Sequence, residues 1–179
     1  MQPQATNPLV DAPICVIGLG NLLQRDDGFG PRALEWIEQH FECPEGVEFV
    51  DVGTAGLHLI RWVVGRRAVL ILDACTAGTA PGTVSVFHRE RVLEGDCTGV
   101  RISPHQPDIR EILRMAEVVD TMPEEVVLIG AEPRTMEQGL ELSPEVEAAI
   151  PAAARELARE LRRLGVALEL RENEACTAE

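Results

Sequence analysis

Short apolar runs of strand length alternate along this chain with segments whose apolar residues recur every three or four positions. No other feature constrains the fold as much. The runs are Ile14–Ile17, Val47–Val50, Val69–Leu72 and Val126–Ile129, and each stops at a glycine or an aspartate. A continuous apolar run is what a strand covered on both faces requires. Between the runs, Leu34, Ile37 and Phe41 follow Pro31 at helical spacing, Leu57, Ile60 and Val64 indicate a short second helix, and Ile109, Ile112, Leu113 and Ala116 share one face. Thr83–Phe87 is a further β-prone stretch behind the turn signal Pro81-Gly82. The last helix has Ser143 as N-cap and Pro144 in its first position. Its stripe runs Val146, Ile150, Ala153, Leu157, Leu161, Leu164, and Gly165 ends it. Pro151 lies inside that stripe and predicts a kink.

Alternating strands and helices with short connections predict an α/β fold. The expected form is a single-domain three-layer sandwich, its mainly parallel twisted sheet flanked by helices on both faces. The expected boundaries are a flexible segment over 1–13, one domain over 14–165 and a polar tail over 166–179, frayed from Arg171. With 179 residues, 45% of them hydrophobic, the chain can bury a core without staples. Its apolar runs are too short to span a bilayer, and Met1–Pro13 has neither a positive n-region nor an apolar h-region. The net charge of −14 repels phosphate backbones and acidic lipid, and no basic cluster offsets it. Five scattered cysteines without a C-x-x-C pair argue against a disulfide framework and against a cysteine-rich zinc site, and they fit a reducing cytoplasm.

In open parallel sheets, ligands collect beyond the carboxyl ends of the strands. Asp27 falls in the loop after the first strand, Asp73 directly after Val69–Leu72, and His105 in the loop Ser103–Pro107 before a later helix. All three can converge on one edge. Two carboxylates and an imidazole suit a divalent first-row metal with open positions. The plainer reading stays open, since an aspartate at a strand end often only caps the next helix and a loop histidine is usually solvated. A nucleotide site is a rival: Gly18-Leu19-Gly20 follows a strand, but Leu23 replaces the third glycine of the fingerprint and Asp26-Asp27 would repel a pyrophosphate. Cys75 as a nucleophile beside His105 gains nothing from Asp73, which disfavours a thiolate, and a small buried residue is the plainer reading. His58 can reach the same edge but reads better as a surface or packing residue; His40 and His88 carry no pattern.

Taken together, the motifs become specific. Gly18-Leu19-Gly20-Asn21-Leu22-Leu23-Gln24-Arg25-Asp26-Asp27-Gly28-Phe29-Gly30 resembles the N-terminal motif of the hydrogenase maturation endopeptidases. Those nickel-dependent enzymes remove a C-terminal extension from the large subunit of [NiFe] hydrogenases. Asp51-Val52-Gly53-Thr54-Ala55-Gly56 is similar to their second motif, Leu72-Asp73-Ala74 to the third, and Ile102-Ser103-Pro104-His105-Gln106 to the fourth. The order and spacing agree from about Ile14 to Gly165.

The resemblance implies that Asp27, Asp73 and His105 are the catalytic, metal-contacting positions and that Asp51, Gly53 and Thr54 serve substrate recognition. Some members carry Glu at the first position, where this chain has the shorter Asp27. The implied partner is the large-subunit precursor, cut beyond its last nickel-binding cysteine by a monomeric cytoplasmic enzyme. The implied cofactor is nickel carried by that precursor, which polarises the scissile carbonyl or activates water, although other divalent ions suit the same donors. A non-catalytic nickel checkpoint or chaperone binding the same precursor is the alternative from another class. A nucleotide-binding oxidoreductase is the third reading.

Overall fold

A computed structural model of the chain describes residues 12–54, 56–95, 98–99 (backbone only) and 109–171. Five strands lie side by side. They are β1 (Ile14–Leu19), β2 (Val47–Gly53), β3 (Ala68–Thr76), β4 (Val84–His88) and β6 (Glu125–Ala131), in the order β2-β1-β3-β6-β4. β1 runs parallel to both β2 and β3, β3 runs parallel to β6, and only the edge strand β4 is antiparallel to its neighbour β6. The two-residue strand β5 (Thr98–Gly99) pairs antiparallel with the end of β3. The expected mainly parallel sheet is therefore what forms.

Period-two alternation sends the side chains of each strand to opposite layers. On one face Ile14 and Val16, Leu70 and Leu72, and Val127 and Ile129 pack against α1 (Phe29–His40) and α6 (Ile150–Arg163). Phe29, Leu34 and Ile37 supply the α1 stripe, and Ala153, Leu157 and Leu161 the α6 stripe. On the other face Cys15 and Ile17, Val69 and Ile71, and Val126 and Leu128 meet α2 (Ile60–Val63) and α4 (Ile109–Val118), through Val63, Ile112, Leu113 and Ala116. Both faces of β1, β3 and β6 are covered, which is why those strands read as unbroken apolar runs. No described helix is long and apolar enough to cross a membrane.

Several boundaries depart from the sequence reading for physical reasons. β3 continues through Asp73 to Thr76, because β6 goes on pairing with it at Asp73↔Gly130 and Ala74↔Ala131. Asp73 and Gly130 are thus inside strands rather than just past them. Pro151 does not kink one long helix. The helix divides into α5 (Pro144–Glu147) and α6, and Pro151 falls in the first turn of α6, where its missing N–H costs nothing. Ser143 precedes α5 but makes no side-chain cap; its hydroxyl is used elsewhere. α3 (Arg89–Glu94) was not legible, since Val92 is its only buried residue. Beyond α6 the chain stays attached through Arg171, whose Nε donates to the carbonyls of Glu38 (2.8 Å) and Phe41 (3.0 Å).

The cysteines also need correction. Cys75 is disulfide-bonded, while Cys15 and Cys43 are free. Cysteine spacing is silent about such a pairing, because neighbours across strands come from distant stretches of chain. Burial pushes the Cys15 thiol up to about 12, so it is inert.

Candidate active site

The loop leaving β1 is folded back tightly before α1 begins. Gly20 (φ 142°) donates its N–H to the Gly53 carbonyl at 3.1 Å. A Cβ there would sit 1.8 Å from the carbonyl oxygen of Asp27, so only glycine lets the loop close. Asn21 donates its N–H to Asp27 Oδ2 (3.0 Å), and its own Oδ1 accepts the N–H of Leu23 (3.0 Å). A 3₁₀ turn over Arg25–Gly28 then delivers the chain into α1. Gly30, in the first turn of α1, presses against both strand ends: a Cβ on it would lie 2.2 Å from the carbonyl oxygens of Leu19 and Leu72. That contact seats the Asp27 turn beside Asp73.

Asp27 and Asp73 are 3% and 7% exposed, and they feel each other's charge. Burial raises the Asp27 carboxyl above its ordinary value, opposed by the Asn21 N–H. Asp73 is pushed well above the ordinary value, first by burial and then by Asp27, with the Ala74 N–H opposing. No ion pair to a basic side chain offsets either carboxylate among the described residues. Two desolvated like charges at one strand edge fit a divalent cation between them, which would hold both ionised. They also suit proton transfer, since carboxyls raised towards neutrality are the ones able to accept and return a proton. His105 lies outside the described residues, and among the described residues no group of three metal-capable side chains is assembled.

The three recognition candidates sit one strand away. Asp51 and Gly53 are in β2 opposite Gly18 and Leu19, and Asp51 Oδ1 accepts the Gly53 N–H at 2.9 Å. Asp51 and Thr54 are exposed, and Gly53 touches the site through its bond from Gly20. His58 is exposed in the turn after β2, His40 stacks on Trp36, and His88 approaches Glu160 at 3.9 Å.

Two carboxylates escaped the sequence reading. Asp26 is fully buried, and its side chain turns the opposite way from that of Asp27. It accepts the N–H groups of Arg134 (2.8 Å), Thr135 (3.0 Å) and Ser143 (2.6 Å), and the Ser143 hydroxyl (2.9 Å). The segment after β6 is thereby tied to the turn carrying Asp27, and a backbone bridge between Gln24 and Gly139 reinforces the tie. Glu132 does the same for the segment after β3, accepting the Ala77 N–H (2.8 Å) and the Thr79 N–H and hydroxyl (both 3.1 Å). Burial alone would raise the Glu132 carboxyl, but these donors outweigh it and hold it below the ordinary value. The only signal in the sequence was the doubled Asp26-Asp27: adjacent residues in a tight turn point apart, so they cannot share one task.

A family model described as hydrogenase maturation protease matches residues 31–160. The chain belongs to the hydrogenase maturation protease family. It is 36% identical over 171 residues to the hydrogenase expression/formation protein HupD of Rhizobium leguminosarum bv. viciae, covering 94% of this chain and 84% of that one. To the hydrogenase 2 maturation protease of Escherichia coli (strain K12) it is 34% identical over 154 residues, covering 86% and 93%. Among solved structures, the hydrogenase maturating endopeptidase HybD from E. coli superposes with a TM-score of 0.81 at 34% identity, covering 88% of this chain and 97% of that chain. The [NiFe] hydrogenase maturation protease HybD from Thermococcus kodakarensis gives 0.61 at 26% identity, covering 83% and 97%. For this maturation protease the fold and the hydrolase class follow from the family, and both agree with the resemblance carried by its four motifs.

Proposed function

We propose that this protease removes the C-terminal extension of a nickel-loaded [NiFe] hydrogenase large subunit, working as a cytoplasmic monomer with Asp27, Asp73 and His105 as its catalytic set. The observation that carries the reading is the Asp27–Asp73 pair, buried at the carboxyl edge of parallel strands with no basic partner among the described residues. Nickel held by the precursor's thiolates would be the cation this pair receives, and it would supply Lewis-acid polarisation at the scissile carbonyl. Three non-thiolate donors discriminate poorly among divalent ions, so nickel selectivity belongs to the substrate. Asp27 keeps one oxygen on the Asn21 N–H and has the other for the metal or for a water proton. Asp73, the more strongly raised carboxyl, is the better proton acceptor for an attacking water. Asp51, Gly53 and Thr54 would hold the precursor along the exposed end of β2.

The test uses metal-free enzyme and purified nickel-loaded precursor, with the mass of the precursor read before and after mixing. Shortening is expected with wild type and is abolished in Asp27→Asn and Asp73→Asn. Cutting by nickel-soaked, desalted enzyme on metal-free precursor, and not in the first mixture, would make this an ordinary metalloprotease. A wild type that binds the precursor without shortening it favours the checkpoint reading instead.

A further inference from the structure

Arg25 immediately precedes the two aspartates, and its side chain is left without an ionic partner among the described residues. Its backbone takes φ 40°, a left-handed conformation that a non-glycine residue rarely adopts. Its Nε is shielded from solvent and has no hydrogen-bond partner. The side chain rests on Gly139, where a Cβ would come within 2.9 Å of Cγ and 3.0 Å of Nε. A bare glycine, a strained backbone and a desolvated donor all hold this one guanidinium in place.

The guanidinium lines a groove of about 740 Å³ between α1 and the segment leading into α5, together with Trp36, Thr135, Leu140 and Ser143. Two other arginines line it, and both are matched: Arg32 pairs with Glu35 at 3.3 Å, and Arg134 pairs with Glu145; the carboxylates of Glu141 and Glu147 also line it, so a bound carboxylate must sit on the Arg25 side. Arg25 makes no such pair among the described residues, in a chain whose net charge is −14. Leu140, 62% exposed, lends the groove apolar surface. A planar, permanently charged fork beside apolar surface is receptor chemistry for a carboxylate on an extended peptide.

Building on the protease reading, we infer that Arg25 anchors the protein substrate in this groove by binding a carboxylate of the segment that flanks the scissile bond. That carboxylate belongs either to an acidic side chain or to the precursor's own C-terminus. Arg25 would then set affinity and register, leaving the bond-breaking step to Asp27, two residues along the chain, and Asp73.

The probe is a purified nickel-loaded large-subunit precursor, cut by wild type, Arg25→Asn and Arg25→Glu. Asn tolerates the left-handed backbone and removes the charge. Arg25→Asn should raise KM on the order of tenfold or more. Arg25→Glu should raise it further, kcat should stay within about twofold of wild type, and neither variant should melt earlier. The wild-type KM should rise with salt while that of Arg25→Asn stays flat. To separate the sources, each Asp or Glu of the precursor's extension is changed to Lys in turn, and a Gly-Ser tail is appended to an otherwise unaltered precursor. Rescue of Arg25→Glu by one Lys variant assigns a side chain, whereas loss of the Arg25 dependence on appending the tail assigns the C-terminus. An unchanged KM in Arg25→Asn overturns the anchor. So does a fall in kcat at constant KM, or insensitivity to both precursor series. A wild type that leaves the precursor whole overturns the protease reading, and calorimetric affinities of wild type and Arg25→Asn for the precursor then judge the anchor alone.

Discussion

Replacing Gly20 by alanine should cripple the site through the backbone, without touching a functional side chain. The added Cβ would stand 1.8 Å from the Asp27 carbonyl oxygen, where real Cβ atoms stay beyond 3.0 Å, so the Asp27 turn must retreat by about 1.2 Å. A misplacement of about 1 Å costs on the order of a hundredfold in rate. The stability cost adds two parts: roughly 1–3 kcal/mol for the overpacked contact and roughly 1–3 kcal/mol for alanine at this φ. For a chain of this size that is a fall in melting temperature of about 4–24 °C. The assay is single-turnover cleavage of nickel-loaded precursor at a temperature where circular dichroism shows the variant folded. Leu157→Ala in α6, fully buried far from the site, is the control. It should lose about 2–5 kcal/mol and keep its rate once folded. If Gly20→Ala cuts as fast as wild type, or if Leu157→Ala slows equally, the close approach does not position Asp27 and the argument fails.

Asp26→Ala would strand the buried Ser143 hydroxyl and N–H and the part-buried N–H groups of Arg134 and Thr135, so a loss of about 3–5 kcal/mol in urea titrations is expected, with Asp26→Asn milder. Asp73→Asn removes a buried charge that repels Asp27. In chelator-treated protein it should gain about 0.5–2 kcal/mol while cleavage vanishes, and a variant that melts lower would show that the carboxylate is structural after all. Glu132 sits below the ordinary carboxylate value, so its contribution is complete above that value and disappears as pH falls through the lower folded one. Urea midpoints taken from pH 7 down to pH 3 should fall less steeply in Glu132→Gln than in wild type. Thiol titration of denatured, unreduced protein should find two of the five cysteines unreactive, and five reactive thiols would contradict the Cys75 disulfide.

The layered fold was legible because β1, β3 and β6 are covered on both faces, and such strands must be written as apolar runs. Their ends were less legible. A carboxylate at Asp73 looks like surface and so like a strand end, yet here it is buried and the ladder continues past it. The pairing of Asp27 with Asp73 followed from the rule that places ligands at strand ends. What holds that pair in place was not readable. The bonds of Asp26 to Arg134, Thr135 and Ser143 span more than a hundred residues, and no local pattern encodes a partner so distant. α3 and the guanidinium of Arg25, unmatched among the described residues, were hidden for a related reason, since both depend on what other segments place around them.

The ties from Asp26 have a consequence for synthesis. A nascent chain that has emerged as far as Thr76 already presents Asp27 and Asp73, but β6 and the segment from Arg134 to Ser143 are still unmade. Until they arrive, Asp26 has no donors, the turn is loose, and β3 lacks one of its neighbours. Competence therefore appears late and all at once, with the C-terminal third of the chain. A truncated product ending before Glu125 would carry both aspartates of the pair and have no working edge to put them on.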